Sequence, residues 1–179
     1  MSIIPVLTTE RLILRAHEGG DLPAAFATWS DPRVVRHIGG ETFNRTQCWS
    51  RILNYRGLWD VLGFGYWAVT DRESGTFLGD VGFADFKREI EPSIEGMAEA
   101  GWVLSPQAEG RGYATEAVTA ALTWYDETFP GREAVCIIAP DNKASMRVAE
   151  KCGFRRWTET TFKGDPTVMF RRPAGGDIS

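Results

Sequence analysis

Three cysteines in 179 residues are too few and too scattered to build a disulfide framework. Cys48, Cys136 and Cys152 form no C-x-x-C pair, so a zinc site is not indicated either, and no metal is expected. No apolar run approaches the roughly 20 residues that a membrane span requires. The opening residues MSIIPVLTTERLILR reach charge at Glu10 and Arg11 without a long apolar stretch, so no signal peptide is expected. Basic charge is also short, with 20 Lys and Arg against 24 Asp and Glu for a net charge of −4. Such a chain carries no overall field to draw nucleic acid or an anionic membrane. Internal repeats, low-complexity tracts and linkers are missing as well. The expectation is a cytoplasmic protein of one domain over residues 1–173, followed by a loose tail over residues 174–179.

What is present is an ordinary globular composition, 43% apolar and 25% charged. RLILRAH (11–17) reads as a strand. Leu22, Ala25, Phe26 and Trp29 then follow helical spacing, with Asp21 as candidate N-cap. DPRVVRHIGG is a loop or short helix. Thr46 to Leu62 is a longer helix, with Cys48, Trp49, Ile52, Leu53 and Leu58 as its expected buried stripe. GYWAVTD and FLGDVGFAD form two antiparallel strands around a turn at Gly75, and AEAGWVL is a third strand. A helix to about Phe129 places Ala114, Ala117, Val118, Ala121, Leu122 and Tyr125 on one face. EAVCIIA is a buried strand, and Asn142 to Lys151 is a helix closed by Gly153. RRWTETTFK and TVMFRRP make a closing hairpin. The order β-α-α-β-β-β-α-β-α-β-β describes a mixed α/β domain.

One stretch calls for an explanation, SPQAEGRGYATEA, where Gly110 and Gly112 stand between a strand and a helix. Glycine is entropically costly to fix. Bare main chain at a helix start, however, presents free N–H groups and the positive end of the macrodipole, which together bind phosphate. A Walker loop is excluded because Tyr113 and Ala114 follow Gly112. A dinucleotide fingerprint is excluded because Thr115 stands at the third-glycine position. On the glycines alone, a turn that merely needs tight geometry is an equal reading.

The run from Gln107 through Gly110 and Gly112 resembles the Q/R-x-x-G-x-G/A signature of the GCN5-related N-acetyltransferases (GNAT). TERLILR and WSDPRVVRHIGG resemble the opening of the RimJ/RimL-like branch, GYWAV and FLGDVGF its central strands, and DNKASMRVAEKCGF the family's N-x-x-S and G-F block. The resemblance implies a GNAT fold, a mostly antiparallel twisted sheet with one splayed parallel pair and flanking helices. It also implies acetyl-CoA as co-substrate. The main chain of Trp102, Val103 and Leu104 would then face the pantetheine. The amides of Arg111, Gly112, Tyr113, Ala114 and Thr115 would face the pyrophosphate, with Gln107 and Gly110 completing the loop and Arg111 adding charge or remaining a solvated loop arginine. Asn142 would cap its helix, face the cofactor, or do both.

Acyl transfer from a thioester needs a neutral amine, a stabilised oxyanion and protonation of the leaving thiolate. An α-amino group, at about 7.7–8.0, needs little help near neutrality; a lysine, at about 10.4, needs more. Alternation on AEAGWVL puts Glu99, Gly101 and Val103 on one face, with Gly101 expected to leave room for substrate. The resemblance offers Glu99 as base, against a structural carboxylate bonded to a neighbouring strand or a buried arginine. It offers Ser145 as hydrogen-bond donor to the thiolate, against a helix-surface serine. Glu91, Glu95, Glu159 and His37 are less well placed as bases. Trp29, Trp49, Trp59 and Trp67 either line an acceptor cleft or belong to the core. The expected activity is acetyl transfer to a primary amine, on a protein N-terminus or a small molecule, by a monomer or homodimer. A non-catalytic acyl-CoA-binding protein of the same fold is the alternative.

Overall fold

The computed structural model describes residues 3–175. Strands β1 (Leu7–Thr8) and β2 (Leu12–Arg15) come first, followed by helices α1 (Leu22–Trp29), α2 (Pro32–Val35) and α3 (Arg45–Leu62). Three strands follow in antiparallel succession, β3 (Tyr66–Asp71), β4 (Phe77–Ala84) and β5 (Ala98–Leu104). Helix α4 (Tyr113–Thr128), strand β6 (Ala134–Ile138), helix α5 (Lys143–Lys151) and the hairpin β7 (Arg155–Phe162) and β8 (Asp165–Arg172) complete the chain. The expected order is observed with two additions: β1, whose two residues are too few to show a period, and α2, where DPRVVRHIGG was read as a loop or short helix. Residues 176–179 of the expected tail lie outside the described residues, whereas Ala174 and Gly175 form a turn.

The eight strands of the described residues belong to one sheet, in the order β1-β2-β3-β4-β5-β6-β8-β7. Among the described residues only β5 and β6 run parallel, and they pair solely at Ala98 with Ala134 and Glu99 with Val135. Beyond Glu99, β5 continues along β4 as far as Leu104, while β6 follows β8 to Ile138. The two strands therefore part. One side of the β5 main chain from Ala100 to Leu104 is left without a strand partner, and backbone groups in a core demand one.

Strand β4 is buried at every position because both faces are covered. Val81 and Phe83 pack with Ala117, Val118, Leu122 and Tyr125 of α4, the face expected from the helical period. Each such side chain contributes about 1.5–3 kcal/mol on leaving water. The opposite face carries Asp80, Gly82 and Ala84, and through their register on β5 also Val103, Gly101 and Glu99. Helices α1 and α3 cover this face.

Two expectations are corrected here. Helix α3 buries Cys48, Ile52, Tyr55 and Trp59, whereas Trp49 is 39% and Leu53 53% exposed. The helix docks along steps of four, three and four residues, which turns Trp49 and Leu53 away. Its start is fixed by a capping box: Gln47 N–H donates to Asn44 Oδ1 at 2.9 Å, and Asn44 N–H to Gln47 Oε1 at 2.8 Å. Asp21, expected to cap α1, makes no capping bond. Its carboxylate instead accepts two bonds from Arg15, at 2.9 and 2.7 Å, and the Glu18 N–H at 2.8 Å.

Candidate active site

The loop between β5 and α4 holds Gly110 at φ +70° and Gly112 at φ +79°, a region that disfavours any side chain. Gly112 is the N-cap of α4, and no side chain caps the helix. The amides of its first turn are accordingly left for another acceptor. A Cβ at Gly110 would meet nothing within 4 Å, so the glycine there serves backbone geometry and open approach rather than internal packing.

The loop is braced from behind by residues that the sequence alone did not single out. Arg11 Nη1 donates to the Arg111 carbonyl at 2.8 Å, and Arg11 Nε donates to Glu116 Oε2 at 2.7 Å. Thr9 Oγ1 and the Arg11 N–H both donate to Glu116 Oε1, at 2.6 and 2.9 Å. Burial opposes the Glu116 charge, but these donors outweigh it and hold the carboxyl below its usual range. The Tyr113 ring lies between two guanidinium groups, Arg11 at 4.5 Å and Arg111 at 5.1 Å from its centroid. The turn before β2 and helix α4 thus share one ion pair over a separation that no local motif reveals.

An open cleft of about 2400 Å³ runs from this loop, through the gap between β5 and β6, to α2 and α3. Trp102, Val103 and Leu104 line it from β5; Gly110, Gly112, Tyr113, Ala114 and Thr115 from the loop and helix start; Asn142 and Ser145 from α5. Gln107 and Arg111 stand outside the lining, Gln107 exposed on a 3₁₀ turn. Asn142 Oδ1 accepts the Ser145 N–H at 3.1 Å, so the side chain does cap α5 while its amide nitrogen takes no part in the cap.

Glu99 is 5% exposed and faces the same cleft. Arg88 Nε and Nη2 donate to its two oxygens at 2.6 and 2.8 Å. Phe86 and Phe162 flank the guanidinium, with centroids 4.8 and 5.0 Å away. Burial works against the Arg88 charge, yet the paired carboxylate more than restores it. The space over Gly101, expected to admit substrate, is filled: a Cβ there would stand 2.1 Å from Tyr66 Oη. The Tyr66 ring stacks on Tyr55 with centroids 4.3 Å apart. Burial pushes the Tyr66 phenol far up, so the hydroxyl keeps its proton and serves as a donor at the cleft wall.

The tryptophans divide between cleft and core. Trp29 lines the cleft and donates to Asp80 Oδ2 at 2.9 Å, while Asp80 Oδ1 lies 2.6 Å from His17 Nε2. Trp59 and Trp67 pack in the core against Trp124, and Trp49 sits on the outer surface of α3. His37 lies 3.1 Å from Asp141 across the cleft mouth. Glu95 pairs with Lys87 and Glu159 with Arg156, and neither lines the cleft. Tyr66, Arg88 and Arg51 were invisible as site residues because GYWAV reads only as a strand, and the other two sit in stretches without a motif.

Among the described residues no group of His, Cys, Asp and Glu is placed to hold a metal ion, and no helix is long and apolar enough to cross a membrane. Residues 11–155 match the family model described as acetyltransferase (GNAT) domain. The Bacillus subtilis (strain 168) protein YkkB is 33% identical over 164 residues, covering 86% of this chain and 90% of its own length. A GNAT-family acetyltransferase structure from Bordetella pertussis superposes with a TM-score of 0.83 at 30% identity, over 94% of this chain and 99% of that one. RimL, a ribosomal L7/L12 alpha-N-protein acetyltransferase solved with coenzyme A, shares the fold at a TM-score of 0.77 and 19% identity, over 97% and 100% of the two chains. A parted parallel pair, an uncapped helix start behind two left-handed glycines and a family match over most of the chain agree: this protein is an acyltransferase of the acetyltransferase (GNAT) domain family.

Proposed function

We propose that the chain, as one domain over residues 1–173, transfers the acetyl group of acetyl-CoA to a primary amine by direct attack within a ternary complex. The observation that carries this reading is the parting of β5 from β6 beside an uncapped helix start. Main chain at Trp102, Val103 and Leu104 is free to pair with the amide-bearing pantetheine as an added strand would. The amides of residues 111–115 meet the diphosphate, where dipole attraction adds about 0.3–1 kcal/mol to the individual hydrogen bonds. Asn142 offers its amide nitrogen toward the same cleft, and the N–H near Leu104 stabilises the oxyanion.

At the reacting end Glu99 receives the ammonium proton, directly or through one water, and Arg88 holds that carboxylate in place. Tyr66 holds a donor beside it over Gly101. Ser145 hydrogen-bonds the departing thiolate. An α-amino group, about 7.7–8.0 when free, demands little of such a base. The protein N-terminus that RimL acetylates and the sequence blocks shared with the RimJ/RimL-like branch both support an acceptor of that kind. A cytoplasmic setting, which supplies acetyl-CoA, fits this reading.

The test is acetyl-CoA turnover, followed by release of free coenzyme A thiol, across peptides with free N-termini, lysine peptides, amino acids, polyamines and aminoglycosides. Acceptor-dependent thiol release supports the proposal. Coenzyme A binding without transfer to any of them would leave a non-catalytic acyl-CoA-binding protein.

A further inference from the structure

Arg51 projects from α3 into the acceptor side of the cleft, on the face of the sheet that carries Glu99 and Tyr66. Aromatic rings fix its guanidinium: the Trp29 centroid lies 3.8 Å from the central carbon, Phe43 4.6 Å and Tyr55 5.6 Å. Arg51 Nη1 donates to Tyr55 Oη at 2.8 Å, and Nε is buried without a hydrogen-bond partner. Three other cations of the cleft are paired. Arg33 pairs with Asp31, Lys87 with Asp85 and Glu95, and Arg88 with Glu99. Arg51 has no carboxylate partner among the described residues. Asp80, the hydrogen-bond partner of Trp29, has both oxygens already engaged, one by the Trp29 indole and the other by His17.

A guanidinium that is oriented, partly desolvated and unpaired is a costly arrangement unless an anion completes it. Stacking on Trp29 offsets part of that cost, and the planar fork keeps the direction that a carboxylate needs for recognition. The complementary observation concerns Glu99, whose two oxygens are occupied by Arg88. Glu99 is therefore less open to a second ammonium group than the Arg51 fork is to a carboxylate.

We propose that Arg51 recognises a carboxylate on the acceptor, so that the preferred substrates are primary amines that also carry a carboxylate, such as amino acids and short peptides, rather than polyamines. This rests on the acetyltransferase reading above and specifies its acceptor.

The experiment compares matched acceptors that differ in one group: the dipeptide Ala-Phe with its C-terminal amide, and 5-aminopentanoate with pentylamine, beside spermidine. Thiol release gives kcat/KM, and calorimetry on the coenzyme A-loaded enzyme gives affinity for the same pairs. At least one carboxylate is expected to exceed its neutral partner about tenfold or more, chiefly through KM. In Arg51→Gln the ratio should fall to within twofold of one, and in Arg51→Lys, which keeps charge and lacks the fork, it should fall only part of the way. The unfolding midpoint of each variant shows whether it remains folded. Equal use of carboxylates and neutral amines, a preference for spermidine, or an unchanged ratio in both variants would overturn the role of Arg51 while leaving the acetyltransferase intact. Absence of transfer to every amine would instead strike the acetyltransferase reading; equal calorimetric affinity for both members of each pair would then overturn the Arg51 proposal separately.

Discussion

Gly101→Ala tests the geometry of the reacting end most sharply, because the structure gives both the obstacle and its remedy. The new Cβ would stand 2.1 Å from Tyr66 Oη and 3.2 Å from Tyr66 Cζ. The first distance is impossible without movement, and the second is merely tight. The tyrosine has little room to retreat, since its ring is stacked on Tyr55 at 4.3 Å. Overpacking of this kind costs about 1–3 kcal/mol. For a chain of this size each kcal/mol lowers Tm by about 2–4 °C, so a fall of several degrees is expected. Removing the hydroxyl first should relieve most of it, and Gly101→Ala made in Tyr66→Phe should cost less than about 1 kcal/mol. Urea denaturation of the wild type, both single variants and the double variant closes the cycle. A coupling of about 1–2 kcal/mol is expected, and additivity within about 0.5 kcal/mol would refute the placement of Tyr66 over Gly101.

Other outcomes follow from individual contacts. Glu99→Gln should lower kcat/KM for the amine at neutral pH and change coenzyme A affinity by less than about twofold; a wild-type pH profile would make Glu99 a purely structural partner of Arg88. Glu116, held below the ordinary carboxylate value, lends stability that is complete above about pH 4.3 and is lost as pH falls through its lowered folded value. Urea midpoints at pH 7 and pH 3 should therefore differ less in Glu116→Gln than in the wild type, and equal differences would remove the carboxylate from the acid limb. Gly112→Glu places a side chain at φ +79° and an anion where a diphosphate is expected, so calorimetric affinity for coenzyme A should fall at least 100-fold in a protein that still gives a folded circular dichroism spectrum. Affinity unchanged by that charge would take the loop out of the site.

Local chemistry made much of this legible in advance. The period of α4, the alternation on β5 and the glycines at 110 and 112 each have a short-range cause, and each element lies where its pattern put it. The α3 stripe was misread because Trp49 and Leu53 are as apolar as their buried neighbours; only the docking direction separates them. Asp21 had the right residue type and position for a cap, but a bidentate arginine six residues earlier competes more strongly for its carboxylate. Gly101 was read as leaving room for substrate, and Tyr66, arriving from another strand, takes that room. The braces Arg11–Glu116 and Arg88–Glu99, and the ring cage about Arg51, arise from chain folding and leave no local signature.

The account stands most directly on where coenzyme A binds, and a crystal structure grown with it would show this. The diphosphate oxygens should lie about 2.7–3.2 Å from main-chain amides within residues 111–115, with the pantetheine alongside Trp102 to Leu104 in the gap between β5 and β6. Density for the coenzyme elsewhere, or a gap left empty at saturating coenzyme, would contradict it.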